Sequence, residues 1–157
     1  MDRIEIRPID ESDIETTVRM WRRSREGVQP ELEARMNHSP EDDLDFFTNT
    51  LLKECCVWLA IASKGPVGLL AINGDSVEQL YIDPAEQRKG IGTALLDFAK
   101  DQSPTRLQLY THQANTGARK FYEKHGFNAV QFGISPAPEN EPDVRYEWIG
   151  TGPELTD

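Results

Sequence analysis

The sequence predicts an α/β (α+β) fold in which one mixed, mostly antiparallel central sheet is flanked by helices. Three observations carry that prediction. Polar–apolar alternation opens the chain and returns as three hairpin-capable strands between residues 55 and 83. Apolar residues spaced three or four apart bracket that block on both sides. Beyond Pro84 helices and strands alternate, as crossover connections require. The expected order is β-α-α-α-β-β-β-α-β-α-β-β in a single domain over 1–150, with 151–157 as a C-terminal tail.

Residues 3–9 (RIEIRPI) alternate and read as the first strand. Ser12 is expected to cap a helix with Glu15 as its N3 partner, and Ile14, Val18 and Trp21 give that helix an apolar stripe to about Arg23. Gly27 and Pro30 interrupt the pattern, and a short helix from Pro30 to Met36 follows. Ser39, Pro40 and Asp42 mark a third start, and Leu44, Phe47 and Leu51 form its stripe to about Glu54. CCVWLAIA and VGLLAIN are strands joined by the turn SKGP, and their apolar content on both faces places them inside the sheet. VEQLYID follows the Gly74-Asp75 turn. Leu95, Leu96 and Ala99 face inward on a helix from Ile91 to about Asp101. TRLQLYTH is a strand with Leu107 and Leu109 on one face, Asn115 to Lys124 a helix ended by Gly126, and FNAVQF and VRYEWIG the last two strands around an acidic, Pro-rich loop.

The chain has 157 residues and a net charge of −10, from 17 Lys+Arg against 27 Asp+Glu. That surplus of acid argues against binding a phosphate backbone, which needs clustered cations. No apolar run is long enough for a signal-peptide core or a membrane span, so a cytoplasmic protein without a membrane partner is expected. Cys55 and Cys56 are strand neighbours on opposite faces and are not expected to bridge. His38, His112 and His125 lack ligand partners at motif distances, so no metal is expected.

The most informative segment is LYIDPAEQRKGIGTALLDFA. A strand ends at Pro84, a polar turn carries Arg88 and Lys89, and Gly90 and Gly92 open an amphipathic helix. Free backbone N–H groups at a helix N-terminus, two cations and small residues make an anion site suited to phosphate. A flexible N-cap loop whose glycines only relieve a bend is the alternative. The dinucleotide fingerprint and the P-loop are both absent, because no third Gly follows and no Gly-Lys-Ser/Thr occurs.

This segment resembles the acyl-CoA-binding pattern Gln/Arg-x-x-Gly-x-Gly/Ala of the GCN5-related N-acetyltransferase (GNAT) superfamily, through Gln87, Gly90 and Gly92. A second signature, NTGARKFYEKHGF over 115–127, is similar to that family's Asn-x-x-Ala-x-x-Phe-Tyr-x-x-x-Gly-Phe, and the likeness spans essentially 3–149. The resemblance implies transfer of an acetyl group from acetyl-CoA to an amine, by direct attack in a ternary complex without a metal. It implies that Arg88, Lys89, Gly90, Ile91, Gly92 and Thr93 hold the pyrophosphate, with Gln87 beside them. Main-chain groups of Leu80, Tyr81 and Ile82 would pair with the pantetheine arm, and Asn115 would bond near it. Tyr122 is implied as the general acid, with a core aromatic beside Phe121 as the other reading. Asn115, Arg119 and Tyr122 share one helical stripe, which lets a single ligand meet all three. Glu78 is the nearest carboxylate for a general base, with a water chain or an already neutral amine as alternatives. Arg88 departs from the pattern, since the family usually has Gly there.

The acceptor side would be built from residues 21–38 and 133–143, including Trp21, Arg22, Arg25, Glu26, Glu31 and Glu33, then Glu139, Glu141 and Asp143. Their acid favours a small cationic amine, with a protein or peptide amine as the alternative. Neither nucleic acid nor membrane is expected as a partner, and a homodimer is left open. Two rivals of other classes remain: a non-catalytic acyl-CoA-binding module, which would bind without turnover, and an interaction protein, which would do neither.

Overall fold

The structure, a computed structural model, describes residues 3–151; the expected tail lies outside the described residues beyond Thr151. Among the described residues seven strands form one sheet in the order β1-β2-β3-β4-β5-β7-β6. They are β1 (Glu5–Pro8), β2 (Cys56–Ala62), β3 (Gly65–Asn73), β4 (Ser76–Ile82), β5 (Arg106–His112), β6 (Asn128–Ile134) and β7 (Pro142–Ile149). All neighbours pair antiparallel except β4 and β5, which run parallel. The helices are α1 (Ile14–Val28), α2 (Pro30–Met36), α3 (Pro40–Phe46), α4 (Leu52–Glu54), α5 (Ile91–Gln102) and α6 (Thr116–Lys124). A π-helical turn, Phe47–Leu51, joins α3 to α4. No helix among the described residues is long and apolar enough to cross a membrane.

Both faces of the sheet are covered, and β3 shows why. Val67 and Leu70 pack with Leu95, Leu96 and Ala99 of α5 and Tyr122 of α6. Leu69 and Ala71 point the other way, onto Val18, Met20 and Trp21 of α1 and Phe47 and Leu51 of the π turn. A strand buried on both faces must be apolar at every position, which is how VGLLAIN reads. Gly68 lets α5 approach closely, since a Cβ there would stand 2.8 Å from Leu95 Cδ1.

The start of α1 differs from expectation. A 3₁₀ turn over Glu11–Asp13 precedes it, and Ser12 lies inside that turn. The capping carboxylate is that of Asp13, which accepts the Asp10 N–H at 2.8 Å and pairs with Arg7 at 2.8 Å. The Arg7 guanidinium in turn holds the Asp13 carboxyl below its ordinary pKa. At its other end α1 runs through Gly27 to Val28. Tertiary contacts override the glycine's helix cost of about 1 kcal/mol. Ser24 Oγ donates to the Ile82 carbonyl at 3.0 Å, and Arg25 is clamped between Glu33 at 3.0 Å and Asp43 at 2.9 Å.

In α3, Ser39 caps as expected, its Oγ accepting the Asp42 N–H at 3.0 Å. Leu44, however, is exposed while Asp43 is buried. The π turn rotates the helix between Leu44 and Leu51, and Asp43 turns inward to meet Arg22 at 2.8 Å and Arg25. Asp43→Ala would leave the buried Arg25 short of one carboxylate and is expected to destabilise the fold by about 3 kcal/mol. Urea denaturation measures this directly, and a change under about 1 kcal/mol would mean the two arginines find other partners.

Candidate active site

The sheet splits between β4 and β5. The two strands meet at one registered pair, Ser76 with Gln108, and diverge toward their C-terminal ends. Gln108 anchors the apex, donating its main-chain N–H and its side-chain amide to Asp75 at 2.9 Å each. Main-chain groups of β4 beyond the apex therefore lack a β5 partner. Glu78 sharpens the divergence, because it is the extra residue of a β-bulge: Ala71 faces Gln79 and Ile72 faces Val77. A groove of about 700 Å³ occupies the split on the α5/α6 side.

That groove collects most of the residues expected to bind the donor. Leu80, Tyr81 and Ile82 line it from β4; Gln87, Arg88, Gly90, Ile91, Gly92 and Thr93 line it from the turn and the start of α5. Gly90 is the N-cap of α5 at φ 82°, and Arg88 also sits in the left-handed region at φ 65°. The first N–H groups of α5 have no intrahelical acceptor and face outward at the positive end of the helix dipole. Thr93 Oγ1 lies 3.2 Å from His125 Nε2, and burial holds that imidazole below its ordinary pKa. Gly92 packs closely on α6, where a Cβ would meet Phe121 at 3.4 Å. N–H donors, a free arginine and room for an extended chain fit the pyrophosphate and arm of a coenzyme A thioester.

Two expected donor residues are not among the walls of the groove. Lys89 pairs at 3.2 Å with Glu86, a buried carboxylate that also takes Lys64 at 2.6 Å. Arg119 donates from Nε to the Tyr146 hydroxyl at 3.1 Å and stacks over Phe132, on the far side of α6 from the groove. The stripe expected to present Asn115, Arg119 and Tyr122 together thus loses its middle member. Asn115 lines the groove, but its Oδ1 caps α6 by accepting the Ala118 N–H at 3.1 Å, which leaves its amide N–H groups for a ligand.

Tyr122 is both core and groove. Its ring packs against Phe121, Phe127 and Tyr146, while the residue lines the split. Burial pushes its hydroxyl far above the ordinary phenol pKa, with a smaller contribution from Tyr81. Tyr81, on the opposite face of the sheet, is itself pushed up to about 12 by burial. Both phenols are therefore hydrogen donors at neutral pH. Glu78 lines the split from both sides and accepts a hydrogen bond from Ser76 Oγ at 2.5 Å. Cys55 and Cys56 are free thiols away from the groove, and burial raises Cys55 to about 11, which leaves it a poor nucleophile.

On the α1 side the split opens into a second groove of about 670 Å³. Glu78, Glu139 and Asp143 line it, with no lysine or arginine among the described residues of its walls. A histidine that the sequence left unassigned ties those walls together. His112 Nδ1 lies 2.8 Å from Gln29 Oε1, after α1, and its Nε2 lies 3.1 Å from Glu139. Arg35 adds a bond to the Glu139 carbonyl at 2.7 Å. No local pattern could have revealed this, because the partners are brought together only by the sheet. Trp21 and Arg25 line the adjoining cavity, where Trp21 Nε1 donates to Gln79 Oε1 at 3.1 Å, while Arg22 is turned to Asp43 and the His38 carbonyl. Among the described residues no cluster could hold a metal ion.

Comparison with known proteins agrees with this geometry. Residues 53–129 match the family model of the acetyltransferase (GNAT) domain. The peptidyl-lysine N-acetyltransferase YjaB of Salmonella typhimurium is 30% identical over 128 residues, covering 81% of this chain and 85% of the relative. The solution structure of apo-form YjaB from Escherichia coli superposes with a TM-score of 0.75 at 26% identity, covering 94% of this chain and 99% of that one. The PaiA N-acetyltransferase of Thermoplasma acidophilum, solved with coenzyme A, shares the fold with a TM-score of 0.67 at 24% identity, covering 94% and 99%. A split sheet with an N–H-lined glycine turn on one face, a 30% identical acetyltransferase and a matching family model lead to one conclusion: the chain belongs to the GNAT family and is an acetyl-CoA-dependent acyltransferase.

Proposed function

We propose that the protein transfers an acetyl group from acetyl-CoA, held on the α5/α6 side, to a cationic amine entering from the α1 side. The observation that carries this is the split itself. It joins a groove lined by free N–H groups and Arg88 to one lined by Glu78, Glu139 and Asp143. A thioester lying in the gap would present its carbonyl to the acid-lined face.

In this reading the amine nitrogen attacks the thioester carbon, a C–N bond forms and the C–S bond breaks. The main-chain N–H of Leu80, beyond the apex of the split, would stabilise the oxyanion. The proton lost from nitrogen passes to Glu78, directly or through water, once attack has made that nitrogen strongly acidic. Tyr122 passes its hydroxyl proton to the departing sulfur, which leaves as thiol, and the phenolate is reprotonated from solvent. A thiol with a pKa of about 8.5 is a fair leaving group, so this help is partial. Holding the two reactants in line supplies much of the rest.

The test is release of free CoA thiol across polyamines, aminoglycosides, amino acids, arylamines and lysine peptides. Cationic acceptors should lead. Their kcat/KM should fall several-fold between low and high salt, while a neutral arylamine changes little. A preference for acceptors carrying a free carboxylate, with no salt effect, would remove the cationic reading. Tight acetyl-CoA binding without turnover on any amine would favour a non-catalytic module.

A further inference from the structure

Asp143 is nine-tenths buried, yet its carboxylate has no hydrogen bond or ion pair among the described residues. Beyond the β ladder, its main-chain carbonyl accepts from Gln113 Nε2 at 2.9 Å. Neither carboxylate oxygen is among the fully buried side-chain atoms that lack a partner, so the carboxylate reaches the groove, yet one this enclosed is normally paired. The neighbours explain why this one is not. Register places His112, Asp143 and Gly133 in one row across β5, β7 and β6, so all three share a face. His112 is turned to Gln29 and Glu139. Arg145, two residues further along the same face, is turned to Gln108, Gln131 and Glu147. Gly133 offers no side chain, and a Cβ there would stand 3.4 Å from Asp143 Oδ1. The carboxylate is thus walled by β-strands, uncovered by a glycine, and open to the acid-lined groove.

We propose that Asp143 is a specificity-determining residue that receives a second positive charge on the acceptor, so that the preferred acceptor carries two cationic groups. The inference rests on the reading of this groove as the acceptor side. One ammonium, deprotonated for attack, lies at the split beside Glu78; the other neutralises Asp143. A monoamine leaves the Asp143 carboxylate without a charged partner in the groove. A dication supplies one, and a charge-assisted hydrogen bond of this kind is worth about 10- to 100-fold in affinity. Glu139 is a weaker candidate for the role because His112 already occupies it.

Calorimetric binding to the CoA-saturated protein tests this without requiring turnover. The probes are 1-aminopentane against 1,5-diaminopentane and spermidine, and a one-lysine peptide against a peptide with lysine and arginine. In the wild type at least one dicationic probe should bind about 10- to 100-fold tighter than its monocationic match. Preference within the amines or within the peptides tells which source the groove takes. Asp143→Asn keeps the shape and removes the charge, and should shrink the ratio below about threefold. Gly133→Val keeps the charge but covers it, on an edge strand that favours a branched side chain, and should shrink the ratio likewise. Unchanged melting and CoA binding in both variants exclude a folding defect. No dication preference in the wild type, or a ratio untouched in Asp143→Asn, would overturn the proposal. Absence of acetyl transfer with the binding ratio intact would instead remove the proposed reaction and leave Asp143 as a dication site.

Discussion

Tyr122→Phe is expected to lower kcat about 10- to 1000-fold for an amine of ordinary basicity, with acetyl-CoA binding and stability almost unchanged. The separation follows from where the two ends of the side chain lie. The ring sits 5.3 Å from Phe121, 5.5 Å from Phe127 and 6.2 Å from Tyr146, centroid to centroid, and phenylalanine preserves those contacts. Burial, helped by Tyr81, raises the pKa of the hydroxyl, and among the described residues no hydrogen bond reaches it. Removing the oxygen therefore leaves no buried partner unsatisfied. Because its pKa is raised, the hydroxyl stays protonated across the working range of pH. The loss in kcat should accordingly be uniform with pH, and any alkaline fall in the wild type belongs to another group. Equal turnover of the two proteins would dismiss Tyr122 as the acid. A loss of several degrees in melting temperature would assign it to the core alone.

The parts of the site legible in the sequence are those made by consecutive residues. A turn from Gln87 to Thr93 is local, so its glycines announce a helix N-terminus before any tertiary contact is known. The doubly buried β3 is legible for a similar reason, since burial on both faces forces an unbroken apolar run. Arg119 shows the opposite case. Helical spacing put it on the same stripe as Asn115 and Tyr122, but a stripe about 100° wide has two edges, and Tyr146 draws its guanidinium to the outer one. Lys89 reads as a cation of the anion site, but Glu86 takes it, and that carboxylate is buried only where the β2–β3 turn brings Lys64 to it. The acceptor groove was legible only as an excess of acid. Which carboxylates are spent and which are bare is decided by tertiary packing: Arg25 of α1 takes Asp43 of α3, His112 of β5 takes Glu139 of the β6–β7 loop, and among the described residues nothing takes the Asp143 carboxylate.

Gly90→Val should abolish the stabilisation that acetyl-CoA gives the wild type, even though a Cβ on Gly90 would meet no protein atom within 4 Å. The cost lies in the backbone, which holds φ at 82° and ψ at 6° at this N-cap. A non-glycine residue pays about 1–2 kcal/mol in that region, and a β-branched one more. Arg88 already occupies it at φ 65°, so the turn has little tolerance for a second strained position. Relaxing Gly90 toward negative φ would re-aim the N–H groups of Ile91, Gly92 and Thr93, which are the donors a pyrophosphate needs. In wild type, acetyl-CoA at about 100 times its Kd should add roughly 2.7 kcal/mol of apparent stability, visible as a rise in Tm, and NAD should add none. Gly90→Ala separates strain from bulk: it should weaken the shift, whereas Val removes it. Arg88→Gly relieves strain but deletes a cation, so its unliganded Tm should rise slightly while acetyl-CoA affinity falls several-fold. A full acetyl-CoA shift in Gly90→Val would place the pyrophosphate away from the start of α5, and a flat response in the wild type at millimolar acetyl-CoA would separate this chain's fold from its family's donor.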